Sequence, residues 1–261
     1  MPKIGFGTWR LSGRDCEQGV ADALAAGYRH LDTAAMYENE EEVGRGLRAS
    51  GVDRSEVWLT TKVWPDDLEP RRVRAALERS LRSLGVDHID LFLIHWPNPA
   101  VPLAATLEAM SALRDEGHTR EIGVSNFTAA LFREAIDLAP VIVNQVEYHP
   151  FLRQEAVLEA CREHGAELTA YRPLAKGEVA DDSTIGAIAR AHDATPAQVA
   201  LAWLIGQDGV SAVPKASSPE RRRENLAALR LELTPEERAR IDALPKGRRA
   251  VETQWSPDWD Q

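Results

Sequence analysis

Eight short apolar runs alternate with amphipathic segments along this sequence, and that count leaves few folds open. The runs are Ile4 to Thr8, Tyr28 to Thr33, Val57 to Val63, Ile89 to His95, Glu121 to Ser125, Val141 to Gln145, Glu167 to Tyr171 and Val210 to Pro214. A typical intervening segment is Arg71 to Leu84, where Val73, Leu77, Leu81 and Leu84 recur every three to four residues and Gly85 supplies a left-handed stop. Near-continuous apolar strands separated by helices are parallel strands covered on both faces. Eight such βα units make a (β/α)8 TIM barrel, an α/β fold. The competing doubly wound sheet needs a glycine fingerprint after its first strand, and Gly5-Phe6-Gly7-Thr8-Trp9-Arg10 lacks the third glycine. Between the seventh and eighth runs, helical pieces are predicted over Ser183 to His192 and Thr195 to Gln207, parted by a capping Thr195 and an N1 Pro196. Thr234-Pro235 opens a last helix to Leu244. One domain over residues 1–261 is expected, with the aperiodic stretch 245–261, which carries Trp255 and Trp259, as a C-terminal loop over the site.

In a barrel the side chains at the C-terminal ends of neighbouring strands meet at one mouth. This sequence places Asp32, Lys62 and His95 at three adjacent strand ends. Lysine is scarce here, five against 26 arginines, so a lysine inside VWLTTKVW is a pointed choice. A buried ammonium requires a counter-ion, and Asp32 on the next strand is available. By pattern alone, a structural Lys-Asp pair with a core histidine stands level with a functional site. Tyr37 tips that balance. It lies five residues past Asp32 in the stretch YRHLDTAAMYENE, where Asn39 is expected to cap a helix over Glu40 to Ala49. A phenol becomes a useful proton donor when a nearby cation stabilises its conjugate base. Asp, Tyr, Lys and His together make a general-acid site without a metal or a nucleophile.

Other chemistries fit less well. His30-x-Asp32 hints at a metal pair, but later strand ends offer Ser125, Gln145, Tyr171 and Lys215 rather than further ligands. A glycosidase needs a second carboxylate; Glu147 is the available one, and Lys62 is then left without a role. Cys16 and Cys161 have no metal or redox spacing and are expected to pack in helices. The net charge of −10 argues against nucleic acid or an anionic membrane as partner. No apolar run of about 18 residues and no leader pattern is present, so a cytoplasmic protein is expected.

The stretches GFGTW, GYRHLDTAAMYENEEEVG, TKVWP, DHIDLFLIHWP, IGVSNF, NQVEYHP, AYRPL and VPKASSPERRRENL resemble, in order, those of the aldo-keto reductases. The likeness runs from Ile4 to about Arg240. It implies a barrel that binds an extended nicotinamide dinucleotide without the glycine fingerprint. It also implies a catalytic tetrad of Asp32, Tyr37, Lys62 and His95, the four residues the strand-end argument collected. By the resemblance, Tyr37 protonates the carbonyl oxygen, Lys62 held by Asp32 lowers the phenol's pKa, and His95 orients the carbonyl. A histidine in the fourth position, where the family's C=C reductases carry glutamate, implies carbonyl reduction. Gly7, Thr8, Trp9, Asp32, Arg172, Pro173 and Leu174 are implied cofactor contacts, with Ser125, Asn126 and Gln145 on the carboxamide and Tyr171 stacked on the nicotinamide. Lys215 to Asn225 is implied at the adenosine end, with Lys215 and Arg221 at a 2′-phosphate, Glu224 and Asn225 at adenine, and Ala216 and Ser217 among the cofactor contacts. Arg222 and Arg223 are read as a solvated helix face.

The sequence departs from the family at two cofactor positions. Ala216 replaces the usual serine, so NADPH is expected, with NADH possible. Arg172 replaces a small residue beside the pyrophosphate, where it either adds a cation or crowds the phosphates. The family's N-terminal hairpin is missing, leaving Met1 to Lys3 to cover the barrel floor. Trp9, Trp64 and Trp96 follow strand ends and, with Tyr37 and His95, are expected to wall the substrate pocket. Short loops make this similar to the compact bacterial members such as 2,5-diketo-gluconate reductases. A small aldehyde or ketone substrate and a monomer are implied. The alternative is a catalytically weak nicotinamide-binding sensor or partner-binding module.

Overall fold

The computed structural model describes residues 1–259; Asp260 and Gln261, the last two residues of the expected tail, lie outside the described residues. Eight parallel strands follow one another in chain order: β1 Phe6–Gly7, β2 His30–Asp32, β3 Trp58–Val63, β4 Ile89–Ile94, β5 Thr119–Ser125, β6 Val141–Glu147, β7 Glu167–Tyr171 and β8 Val210–Val213. The ring closes through a parallel bridge from Ile4 to Ala212 and through Gly7 N donating to the Pro214 carbonyl at 3.1 Å. The expected barrel is therefore present. The first strand is shorter than Ile4 to Thr8, and β6 runs two residues past Gln145, to Glu147.

Helices α1 Gly13–Ala25, α2 Glu40–Ala49, α3 Pro70–Leu84, α4 Leu103–Asp115, α5 Ala129–Leu138, α6 Glu155–Glu163, α7 Ser183–Ala191, α8 Pro196–Ile205, α9 Pro219–Ala227 and α10 Pro235–Asp242 surround the strands. Their ends follow sequence chemistry. Thr195 and Gln198 form a capping box ahead of α8, as Thr234 and Glu237 do ahead of α10, and Gly85 stops α3 at φ 67°. Cys16 and Cys161 are free and buried in α1 and α6. Gly44 lets α2 lie against α3: a Cβ there would stand 2.1 Å from the Leu84 carbonyl oxygen, so any larger residue forces the helices apart.

Alternation along the strands sorts two apolar layers. Phe92 and Ile94 on β4 point outward into the core shared with Leu107, Met110 and Leu113 of α4. Leu91, Leu93 and Val143 point inward and meet Met1 and Trp58 at the floor. Above that floor the interior turns polar, with His30 Nε2 3.1 Å from Thr60 Oγ1 and Thr169 Oγ1 2.9 Å from Ser211 Oγ. A barrel filled this way presents its polar side chains at the upper mouth.

Candidate active site

Parallel register puts Asp32 opposite Thr60, so Lys62, two residues further along β3, faces the same side one step higher. Lys62 Nζ donates to Asp32 Oδ1 at 2.7 Å and to the Thr33 carbonyl at 2.8 Å. The second carboxylate oxygen, Oδ2, accepts from Gln145 Nε2 at 2.7 Å. Both charges are buried, at 1% and 3% exposure. Desolvating each ion costs several kcal/mol, which the pair offsets through this geometry and the two further hydrogen bonds. Burial lowers the Lys62 pKa while Asp32 acts the other way.

Tyr37 ends a single 3-10 turn, Ala35–Tyr37. Its ring centroid lies 5.2 Å from Lys62 Nζ, 4.8 Å from Trp9 and 5.8 Å from His95, and Trp64 stands 5.1 Å from His95 on the other flank. The expected lowering of the phenol's pKa is not what this geometry produces. Burial and then the Asp32 carboxylate push it well above 10, with Arg172 opposing. Tyr37 is thus fully protonated near neutrality.

Asn39 stands at the expected N-cap position of α2, Glu40–Ala49, and also holds the loop that carries Tyr37. Its side chain makes no cap for α2; Nδ2 donates to the Thr8 and Leu11 carbonyls, and Oδ1 accepts from the Thr33 hydroxyl. Leaving the buried Leu11 carbonyl and Thr33 hydroxyl without these bonds costs more than one helix cap returns.

His95 is buried, and that burial, reinforced by the Lys62 charge, holds its pKa well below 6.5. The ring is neutral. Its Nδ1 is buried without a hydrogen-bond partner among the described residues. A bare acceptor there is cheaper than an orphaned N–H, so the proton belongs on Nε2.

Ser125, Asn126, Gln145 and Tyr171 are drawn together beside the Lys-Asp pair. Ser125 Oγ donates to the Gln145 carbonyl at 2.7 Å. Asn126 Nδ2 donates to the His95 carbonyl and to Ser125 Oγ, and its Oδ1 accepts from the Tyr171 hydroxyl at 2.7 Å. Asn126 adopts φ 64°, a left-handed conformation that asparagine tolerates better than most residues.

Beside this mouth lies a cleft of about 870 Å³, lined by Trp9, which packs on Tyr37, by Arg172, Pro173 and Leu174, and by Lys215, Ala216, Ser217, Arg221, Glu224 and Asn225. Gly7 and Thr8 are buried behind it, Thr8 with its hydroxyl on the Asp32 carbonyl at 3.1 Å. At the far end Ser218 caps α9, and Lys215 and Arg221 are exposed. Arg223 is solvated as expected, whereas Arg222 is not. At 3% exposure it donates to the Ala216 and Ser217 carbonyls and pairs with Asp22 at 2.7 Å. The buried side of α9 carries Arg222 and Asn225, with Ser218 one turn earlier at the cap; that spacing of four and three was the available sequence signal.

Glu147, the carboxylate set aside as a glycosidase partner, has a structural place instead. It continues the inward alternation of Val143 and Gln145 and is fully buried. Its carboxylate accepts from the backbone N–H groups of Ala250 and Val251 at 2.8 and 2.9 Å, with His149 Nε2 at 3.1 Å. Arg172, at φ 50°, donates to the Ala250 carbonyl at 3.3 Å. Trp96 is buried and meets Trp259 of the tail with ring centroids 6.2 Å apart. Among the described residues no helix is long and apolar enough to cross a membrane.

Residues 3–246 match the model of the Aldo/keto reductase family. The methylglyoxal reductase DkgB of Escherichia coli O157:H7 is 40% identical over 266 residues, spanning 100% of this chain and 99% of that protein. A 9,11-endoperoxide prostaglandin H2 reductase of Trypanosoma cruzi is 42% identical over 255 residues, 95% of this chain and 89% of its own length. Among solved structures, a candidate 2,5-diketo-D-gluconic acid reductase B superposes with a TM-score of 0.98 at 42% identity, covering 100% of this chain and 94% of the other.

Proposed function

The chain belongs to the aldo/keto reductase family, and from that premise we propose that it reduces small aldehydes and ketones to alcohols with NADPH, Tyr37 donating the proton. The observation that carries this reading is the meeting of a protonated phenol, a neutral imidazole and a buried Lys-Asp pair within one aromatic-walled mouth.

The cleft fits the dinucleotide. Its outer end offers Lys215 and Arg221, neither in an ion pair among the described residues, beside the capped start of α9, a setting that suits a phosphate dianion. When bound, the nicotinamide supplies the hydride that the carbonyl carbon accepts. Ser125, Asn126 and Gln145 would hold its carboxamide and Tyr171 would pack on its ring. His95 Nε2–H donates to the carbonyl oxygen and aims it at Tyr37, whose hydroxyl then releases its proton to that oxygen. Lys62 matters at that moment, because the phenolate left behind is an anion that the fixed ammonium stabilises by Coulomb attraction. The high ground-state pKa is compatible with this role: the acid must hold its proton until charge develops on the substrate. Ala216 removes one possible phosphate hydrogen bond, leaving the preference for NADPH to Lys215 and Arg221. The protein is further read as a cytoplasmic monomer of one domain, its C-terminal stretch lying over the site.

The test follows NADPH oxidation at 340 nm with a small aldehyde such as methylglyoxal, wild type beside Tyr37→Phe, and repeats it with NADH. Turnover that depends on Tyr37 and favours NADPH is expected. Wild type that binds NADPH and reduces none of a broad carbonyl panel contradicts the reading.

A further inference from the structure

Tyr37 rides on an arch of chain whose two feet stand on one strand. At the first foot Thr33 N donates to the Thr60 carbonyl at 2.9 Å, and the Thr33 carbonyl accepts from Lys62 Nζ at 2.8 Å. At the second, Glu40 Oε1 accepts from the Thr61 hydroxyl at 2.6 Å. Thr60, Thr61 and Lys62 are consecutive on β3, and a cross-tie from the Thr33 hydroxyl to Asn39 Oδ1 at 3.0 Å draws the feet together. Between them the chain makes the single turn that ends in Tyr37, then reverses through Glu38 at φ 53°, a left-handed conformation that a residue with a Cβ adopts at a cost. The strain is held only while both feet stay in place.

The first foot rests on Lys62, which the proposed reaction already uses. The second rests on Glu40, which it does not. Glu40 opens α2 as a buried carboxyl that joins no ion pair among the described residues, and the Arg79 guanidinium near it pairs instead with Asp67 at 2.8 Å. Burial raises its pKa, with the Thr61 and Ser80 hydroxyls opposing. A carboxyl buried without a cation works against stability, and a leucine of similar volume fills such a space at less cost. What leucine lacks is the bond to Thr61, on the outer face of β3, whose next residue, Lys62, faces the site. The phenol ring stands 5.2 Å from Lys62 Nζ, so its place over the ammonium depends on both feet.

Resting on the reductase reading above, we propose that Glu40 is a positioning residue for the proton donor: by tying the start of α2 to Thr61 it fixes the height of Tyr37 over Lys62. Displacing a reacting group by about 1 Å through a change remote from the chemistry costs up to about 100-fold in rate. Glu40 is not among the residues that line the cleft, so its effect falls on kcat and leaves cofactor binding alone.

The test measures kcat with methylglyoxal, the NADPH dissociation constant and the urea midpoint in the wild type, in Glu40→Gln, and in the double variant Glu40→Leu/Thr61→Val. Glutamine keeps an acceptor for the Thr61 hydroxyl without the charge, whereas the double variant removes both partners of the bond together and so orphans neither. The expected result is a loss of about 10- to 100-fold in kcat for the double variant, with NADPH affinity within about twofold and the midpoint not lowered, and a kcat within about threefold of wild type for Glu40→Gln. Wild-type kcat in the double variant overturns the proposal, as does a kcat in Glu40→Gln as low as that of the double variant. A fall in NADPH affinity matching the fall in kcat also overturns it, by making Glu40 a general prop of the fold. If the wild type reduces no carbonyl, the reductase reading fails separately. Fluorine NMR of protein carrying 3-fluorotyrosine at its four tyrosines then decides the placement. The Tyr37 signal, assigned with Tyr37→Phe, is expected to move or broaden in the double variant and to stay in Glu40→Gln; an unmoved signal in the double variant overturns the proposal.

Discussion

The inner end of the candidate site, at the barrel mouth, and its outer end, in the cleft at α9, are built on opposite plans. At the inner end Lys62, Asp32, Gln145, Ser125 and Asn126 are buried and hydrogen-bonded to one another, so their geometry is set before anything binds. At the outer end Lys215 and Arg221 stand exposed, and among the described residues Lys215 Nζ reaches only the neighbouring Ser217 hydroxyl, at 2.9 Å. Proton transfer depends on sub-ångström placement, whereas a phosphate dianion is attracted over several ångströms by charge alone. The chain has therefore spent its buried polar groups where placement matters and left solvated cations where it does not. Arg222 is the exception, a buried brace beneath an exposed loop.

That contrast is most exposed to failure at Lys62. Lys62→Met leaves Asp32 buried without its cation, and urea denaturation is expected to show a loss of about 3–5 kcal/mol along with loss of turnover. An unchanged midpoint would mean the inner end is not held by that pair.

The polar interior beneath it gives the next largest effect. His30 is neutral in the fold, its pKa lowered from 6.5 to about 4 by burial, with Lys62 adding to the shift and Asp32 opposing it. A depressed histidine favours the folded state above pH 6.5. Between pH 6.5 and about 4 the unfolded chain binds the proton more readily, so stability falls by up to roughly 3 kcal/mol across that window. Denaturation curves at pH 7, 5.5 and 4.5 measure it, and a flat response would contradict the assignment.

Arg222→Leu removes hydrogen bonds to two carbonyls together with the Asp22 pair, an expected cost of about 2 kcal/mol. NADPH affinity should fall while turnover at saturating cofactor stays within about twofold. A fall in kcat alone would place Arg222 in the wrong region. The smallest effect is at the surface: Lys215→Ala is expected to weaken NADPH binding about tenfold and NADH binding little. Equal weakening of both cofactors would separate Lys215 from the 2′-phosphate.

Much of this arrangement is legible in the residues themselves. Eight apolar runs with helical spacers specify the barrel, and a rare lysine beside a strand-end aspartate specifies the pair, because hydrophobic period and charge burial are local properties of sequence. What escapes is whatever depends on contacts distant along the chain. Asn39 looks like a helix cap until Thr8 and Leu11 are brought beside it. Arg222 looks solvated within RRR until Asp22, 200 residues earlier, is folded against it. Glu147 looks like a spare carboxylate until Ala250 and Val251, about a hundred residues later, are brought beside it. The phenol's pKa was misjudged for the same kind of reason: proximity to a lysine is visible in the strand order, but the extent of desolvation is not.

The most direct test measures kcat and the NADPH dissociation constant together in Tyr37→Phe and Lys215→Ala. The predicted result is a clean exchange: Tyr37→Phe loses about 100- to 10,000-fold in kcat with cofactor affinity intact, and Lys215→Ala loses affinity with kcat intact. Loss of kcat in Lys215→Ala, or of affinity in Tyr37→Phe to a comparable degree, would contradict the division between a fixed inner end and a charge-steered outer one.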